Sequence, residues 1–90
     1  MQGIWEALAD PHRRKILSLL KGGEMTVSEI HAHFDFSGAT LSHHLGKLKA
    51  ADLVVTRRKG QQIIYGVHMS AFEEAAQAVS DLFKREEGET

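Results

Sequence analysis

The sequence predicts a mostly α-helical domain carrying one small β-hairpin, in the order α-α-α-α-β-β-α. Three observations predict it. Between Ile4 and Leu48 the apolar residues recur at three- and four-residue spacing, the period of a helix with one buried face. Between Leu53 and Val67 the period changes, and β-branched residues cluster on both sides of Lys59-Gly60. A helical stripe then returns and runs to Phe83. At 90 residues the chain is expected to form one domain spanning residues 1–90.

Ile4, Trp5 and Leu8 predict a short first helix ending near Ala9. Asp10-Pro11 restarts the chain, because an aspartate caps free amides and proline is pre-organised for a first helical turn. Ile16, Leu17, Leu19 and Leu20 give the second helix its apolar stripe, and Gly22-Gly23 end it. Thr26-Val27-Ser28-Glu29 reads as a capping box for a third helix that carries Val27, Ile30 and Phe34 and runs to about Phe34. Asp35-Phe36 is expected to be a tight turn, after which Ser37 caps a fourth helix with Leu41, Leu45 and Leu48 on one side. The segments 53–58 and 62–67 form the hairpin, with Gly60 supplying the positive φ of its turn. Ser70-Ala71-Phe72-Glu73 reads as a second capping box, opening the last helix. Leu17, Leu20, Ile30, Leu41, Leu45 and Val55 are the expected core. Three compact helices followed by a helix and a basic hairpin is a winged helix-turn-helix architecture.

Composition narrows the function. With no cysteine, thiolate metal sites, a disulfide scaffold and a cysteine nucleophile are excluded. No apolar run approaches the roughly 20 residues that span a bilayer, so a soluble, cytoplasmic protein is expected. The net charge of −1 argues against a generic nucleic-acid binder, but its distribution does not. Residues 1–36 hold four basic and five acidic side chains, residues 37–65 five basic and one acidic, and residues 66–90 two basic and six acidic. A segment of charge +4 thus lies between acidic ends, over the fourth helix and the hairpin.

That fourth helix is suited to a major groove. Opposite Leu41, Leu45 and Leu48 lie Ala39, His43, Gly46 and Lys47, flanked by Thr40 and Ser42. Small residues allow close approach, Thr40, Ser42 and His43 can meet base edges, and Lys47 can meet phosphate. Ser37 and Gly38 open the helix, where free amides favour phosphate, and Thr26 heads the helix before it. His44 falls near the core edge and is assigned to packing and hydrogen bonding. Arg57, Arg58 and Lys59 crowd the hairpin tip beside Gln61, placed to straddle phosphates or reach a minor groove. Charged tips also protect edge strands, so this cluster gains its meaning from the helix beside it.

Three stretches carry a family resemblance. Ala7-Leu8-Ala9-Asp10-Pro11-His12-Arg13-Arg14-Lys15-Ile16-Leu17 resembles the opening of ArsR-type transcriptional repressors. Leu41-Ser42-His43-His44-Leu45-Gly46-Lys47-Leu48 resembles their recognition helix, and Arg57-Arg58-Lys59-Gly60-Gln61 with Ile64-Tyr65 resembles their wing. The wording of the wing and of residues 21–26 is most similar to a metal-independent autorepressor subgroup. The resemblance implies a homodimeric repressor whose first and last helices form the interface, with Ser42 and His43 reading bases. It also implies release by sequestration on a membrane protein partner rather than by a ligand. Family metal sensors place a Cys-x-Cys pair where this chain has Glu24-Met25-Thr26-Val27-Ser28, or histidines on the last helix, which has none between Ser70 and Thr90. His31 and His33, like His43 and His44, lack the i, i+4 spacing by which two imidazoles share an ion. No metal or other cofactor is expected.

The last helix carries Phe72, Ala75, Ala76, Val79, Leu82 and Phe83 along one stripe, with two alanines that suit close helix approach. Together with Ile4, Trp5 and Leu8 it is the expected two-fold interface. A dimer would set two recognition helices about 34 Å apart on an inverted-repeat operator in double-stranded DNA. The competing readings are a winged-helix protein-interaction module that never reads DNA, and a repressor with an unrecognised histidine/carboxylate metal site. An enzyme is not expected: Ser42 and His43 diverge on one helix, and neither a paired-carboxylate cleft nor a Gly-rich phosphate loop is present.

Overall fold

The computed structural model describes residues 3–89, with side chains described through residue 84. The element order is α1 (Ile4–Ala9), α2 (Pro11–Lys21), β1 (Met25–Thr26), α3 (Val27–His31), α4 (Gly38–Ala50), β2 (Val54–Lys59), β3 (Gln62–Val67) and α5 (Met69–Glu89). The helices and the hairpin follow the predicted order, and the sheet gains a strand.

That strand is β1. It pairs antiparallel with β3, Met25 opposite Tyr65 and Thr26 opposite Ile64, so the sheet order is β1-β3-β2. Two residues without alternation carry no strand signal of their own, and the pairing exists because β3 offers its free edge. The hairpin pairs Val54 with Val67 through Lys59 with Gln62, leaving Gly60-Gln61 as the loop. Gly60 has φ 62°, the left-handed value that a two-residue hairpin loop requires.

The caps explain the helix starts. Asp10 accepts from the amides of His12 (2.7 Å) and Arg13 (3.3 Å). Thr26 accepts from the Glu29 amide at 3.2 Å while the Glu29 carboxylate accepts from the Thr26 amide at 2.8 Å, the reciprocal capping box expected there. Ser37 Oγ accepts from the Thr40 amide at 3.2 Å. Helix α4 ends in a Schellman turn: the Leu53 amide donates to Leu48 and the Asp52 amide to Lys49, both at 3.0 Å. Asp52 takes φ 61° there, and the two flanking leucines are fully buried.

Three local expectations are corrected. Helix α3 stops at His31, not Phe34; the His33 and Phe34 amides bond to Ile30 and His31 in tighter turns, which frees Phe34 to stack on Phe36 with centroids 4.6 Å apart. The Ser70–Glu73 capping box does not form, since α5 begins at Met69 and the Ala71 and Phe72 amides bond to the His68 carbonyl. Val55 is 46% exposed, and its neighbour Val54, at 3%, fills the core place instead. Side chains alternate along a strand, so one residue of register decides which valine is buried. The core otherwise consists of Ile16, Leu17, Leu20, Ile30, Leu41, Leu45, Leu48 and Leu53, joined by Ile4, Ala7, Ala51 and Ala71.

Candidate nucleic-acid interface

Helix α4 divides into two faces. Leu41, His44, Leu45 and Leu48 are buried, while Ala39, Thr40, Ser42, His43 and Gly46 are exposed and Lys47 is half-buried. The predicted contact face is therefore continuous on the surface. Ser37 and Gly38 stand exposed at its N-terminal end, and the Ser37 hydroxyl donates to Thr40 Oγ1 at 3.1 Å. The turn into α4 is closed from the preceding helix, where the His31 Nε2–H donates to the Phe36 carbonyl at 2.7 Å.

The burial of His44 rests on a residue that sequence reasoning passed over. Arg13 is only 7% exposed, and its guanidinium donates from Nε to the Ala7 carbonyl (2.8 Å) and from Nη2 to the Glu6 carbonyl (2.9 Å). Its Nη1 meets His44 Nδ1 at 3.3 Å. A guanidinium only donates, so Nδ1 accepts and His44 is the neutral tautomer protonated at Nε2. Arg13 thereby satisfies the carbonyl end of α1 and ties it to α4. The paired arginines after Asp10-Pro11 were the available signal, but nothing local distinguishes a buried arginine from an exposed one. Burial lowers the His44 pKa from its ordinary value; Asp10 opposes the shift, while Arg13, His12 and His43 reinforce it. An aromatic cluster completes this layer, with the His12 ring edge-on to Phe36 at 5.2 Å and Phe36 against His44 at 5.3 Å.

The hairpin presents Arg57, Arg58, Lys59 and Gln61 on the surface. Arg57 is held by Glu24, which precedes β1, through a two-pronged pair: Nε to Oε2 at 2.9 Å and Nη2 to Oε1 at 3.2 Å. That pair lowers the Glu24 pKa and raises that of Arg57. Arg58 donates from Nε to the Gly60 carbonyl at 3.4 Å. Thr26 joins this group rather than α4, lining a cleft with Glu24, Glu29, Arg57 and Lys59, and its hydroxyl already accepts from Glu29. Lys47 is also engaged, with Nζ 3.1 Å from Glu6 Oε1, and the Glu6 pKa is lowered by that bond.

The residues expected at a two-fold interface separate into two groups. Ile4 is turned into the chain's own core, Leu8 and Phe72 pack against it from partly buried positions, and Ala75 is half-buried. Trp5 (60%), Val79 (38%), Leu82 (56%) and Phe83 (60%) stay exposed, as does Ala76. Among the described residues no three His, Asp or Glu side chains converge as a metal-binding group, and no helix is long and apolar enough to cross a membrane.

Comparison with known proteins agrees with this geometry. A family profile described as a helix-turn-helix domain matches residues 8–57. The chain is 44% identical over 75 residues to the transcriptional repressor SdpR of Bacillus subtilis, covering 83% of each chain. It is 36% identical to an arsenical resistance operon repressor of Staphylococcus aureus, over 82% of this chain and 71% of that one. Among solved structures, an ArsR family transcriptional regulator superposes with a TM-score of 0.87 at 28% identity, over 94% of this chain and 93% of its own. NolR from Sinorhizobium fredii superposes with a TM-score of 0.73 at 36% identity, covering 90% and 81%. The first three of these relatives are transcriptional repressors or regulators. The chain belongs to the ArsR-type family of winged helix-turn-helix transcriptional repressors.

Proposed function

We propose that the protein is a homodimeric, sequence-specific repressor that acts in the cytoplasm on an inverted-repeat operator, does not sense metal directly, and regulates its own gene. The observation that carries the DNA reading is the split of α4, with small and hydrogen-bonding residues outside and leucines inside. Thr40, Ser42 and His43 meet base edges in this proposal, Ala39 and Gly46 allow the close approach, and Ser37, Gly38 and Lys47 meet the backbone. Thr26, Arg57, Arg58, Lys59 and Gln61 form the wing contact. The dimer is supported by Trp5, Val79, Leu82 and Phe83, large apolar side chains that the chain's own core leaves uncovered. Their pairing across a two-fold axis would also supply the apolar burial that so small a domain lacks. Metal independence is supported by the absence of cysteine and by the lack of histidine on α5, since thiolate or imidazole ligands are what hold zinc tightly. With no such sensor, release by a protein partner, as the resemblance implied, is the favoured form of regulation.

The test is selection from a random-sequence duplex pool, followed by anisotropy titration of the enriched duplex in zinc and in chelator. Enrichment of an inverted repeat bound equally in both is the expected result. No enrichment favours the protein-interaction reading, and zinc-dependent affinity overturns metal independence.

A further inference from the structure

Two of the cations assigned to DNA are already neutralised by the chain itself. Arg57 is gripped by Glu24 at 2.9 and 3.2 Å, and Lys47 by Glu6 at 3.1 Å. Both acids come from the N-terminal segment, 33 and 41 residues away from their partners. All four side chains are between 40% and 65% exposed, so the pairs sit at the solvent boundary, where a duplex would meet them. The Arg57 edge formed by Nε and Nη2 is one of the two that can grip a phosphate bidentately, and Glu24 fills it. Glu24 is built into this position: its stem crosses Gly66, where a Cβ would already touch Glu24 Cγ at 3.4 Å.

Resting on the DNA-binding reading above, we propose that Glu24 and Glu6 are internal counter-anions that occupy the phosphate-binding cations Arg57 and Lys47 and restrain the protein's affinity for any duplex. A phosphate must displace the carboxylate, or bind beside it against its charge. In either case part of the gain from releasing counterions is lost, and the salt dependence is shallower than the number of basic residues implies. Glu29 serves as an internal comparison. It lines the same cleft, but its carboxylate bonds to the Thr26 amide, and a capping box accepts glutamine there.

The experiment titrates the full chain against the duplex that the wild type enriches and against a scrambled duplex, over a series of salt concentrations. E24Q and E6Q are each expected to raise affinity for both duplexes by about two- to fivefold, the range of an exposed ion pair. Each should also steepen the slope of log affinity against log salt by up to about one. E29Q, which removes the same charge, is expected to change affinity less than E24Q does. In an Arg57→Ala background the gain from E24Q should largely vanish. Unchanged or weakened binding in E24Q and E6Q, while Arg57→Ala and Lys47→Ala still lose affinity, overturns the proposal but leaves the DNA reading standing. An equal gain from E24Q with and without Arg57 also overturns it, because Glu24 would then act only as a remote negative charge. A wild type that binds neither duplex, with Arg57→Ala and Lys47→Ala without effect, overturns both.

Discussion

Arg13 Nη1 lies 3.3 Å from His44 Nδ1, and the two side chains are 7% and 6% exposed. This contact joins the start of α2 to the middle of α4. The same guanidinium holds the Glu6 and Ala7 carbonyls, so one side chain fixes α1, α2 and α4 in one geometry.

Arg13→Met should therefore destabilise the fold by about 2–3 kcal/mol, because two buried acceptors and one part-buried acceptor lose a charged donor at once. Equilibrium urea unfolding would measure this. A loss within about 0.5 kcal/mol, the range of an ordinary surface change, would show the contact to be idle.

His44 also makes stability depend on pH. Its folded pKa is lowered, chiefly by burial, so the unfolded chain takes up the proton first. The stability tied to His44 is complete above its unfolded value of about 6.5 and falls as pH drops from there toward the lowered folded value. Protonation would also remove the lone pair on Nδ1 that Arg13 uses. His44→Gln should flatten the stability profile just below pH 6.5, measured by urea midpoints across pH. A second loss is expected as pH falls from the ordinary carboxylate values toward the lowered folded ones, since Glu6, Asp10, Glu24 and Glu29 all have lowered pKa values and their contributions disappear on protonation.

On α4, His43→Ala should erode preference for the selected duplex over a scrambled one by about 1–3 kcal/mol. Lys47→Ala should weaken both duplexes alike and leave the preference intact. Anisotropy titrations of the two variants separate these patterns, and a uniform loss in His43→Ala would move His43 from base reading to backbone contact.

The exposed apolar end of α5 supplies a further test. Leu82→Glu and Phe83→Glu place charges where the proposed two-fold interface buries leucine and phenylalanine, and both positions lie outside the chain's own core. Light scattering should report a monomer for each variant at concentrations where the wild type is a dimer, with a cooperative unfolding transition retained. Operator affinity should fall as dimerisation is lost, because each half-site alone binds more weakly. A variant that stays dimeric would place the interface elsewhere.

Most of the helical layout was legible because its causes are local. Asp10, Thr26 and Ser37 cap within three residues of themselves, and the leucine period of α4 names both its buried and its exposed face. The β-branched runs around Gly60 specify a hairpin for the same reason. The chain alone thus determined the element order, the exposed side of α4 and the basic tip of the wing. Tertiary structure decided the rest, through partners distant in sequence. Met25 and Thr26 became a strand because β3 lay beside them, and strand register buried Val54 rather than Val55. Arg13 became a core residue because the Glu6 and Ala7 carbonyls and His44 converged on it. The division of charge changed most. The +4 segment read from the sequence meets Glu6 and Glu24 in the fold, so two of its cations are neutralised by acids from the preceding segment. Local patterns specify caps and faces, whereas ion pairs and strand edges depend on which distant residues the packed core brings within a few ångströms.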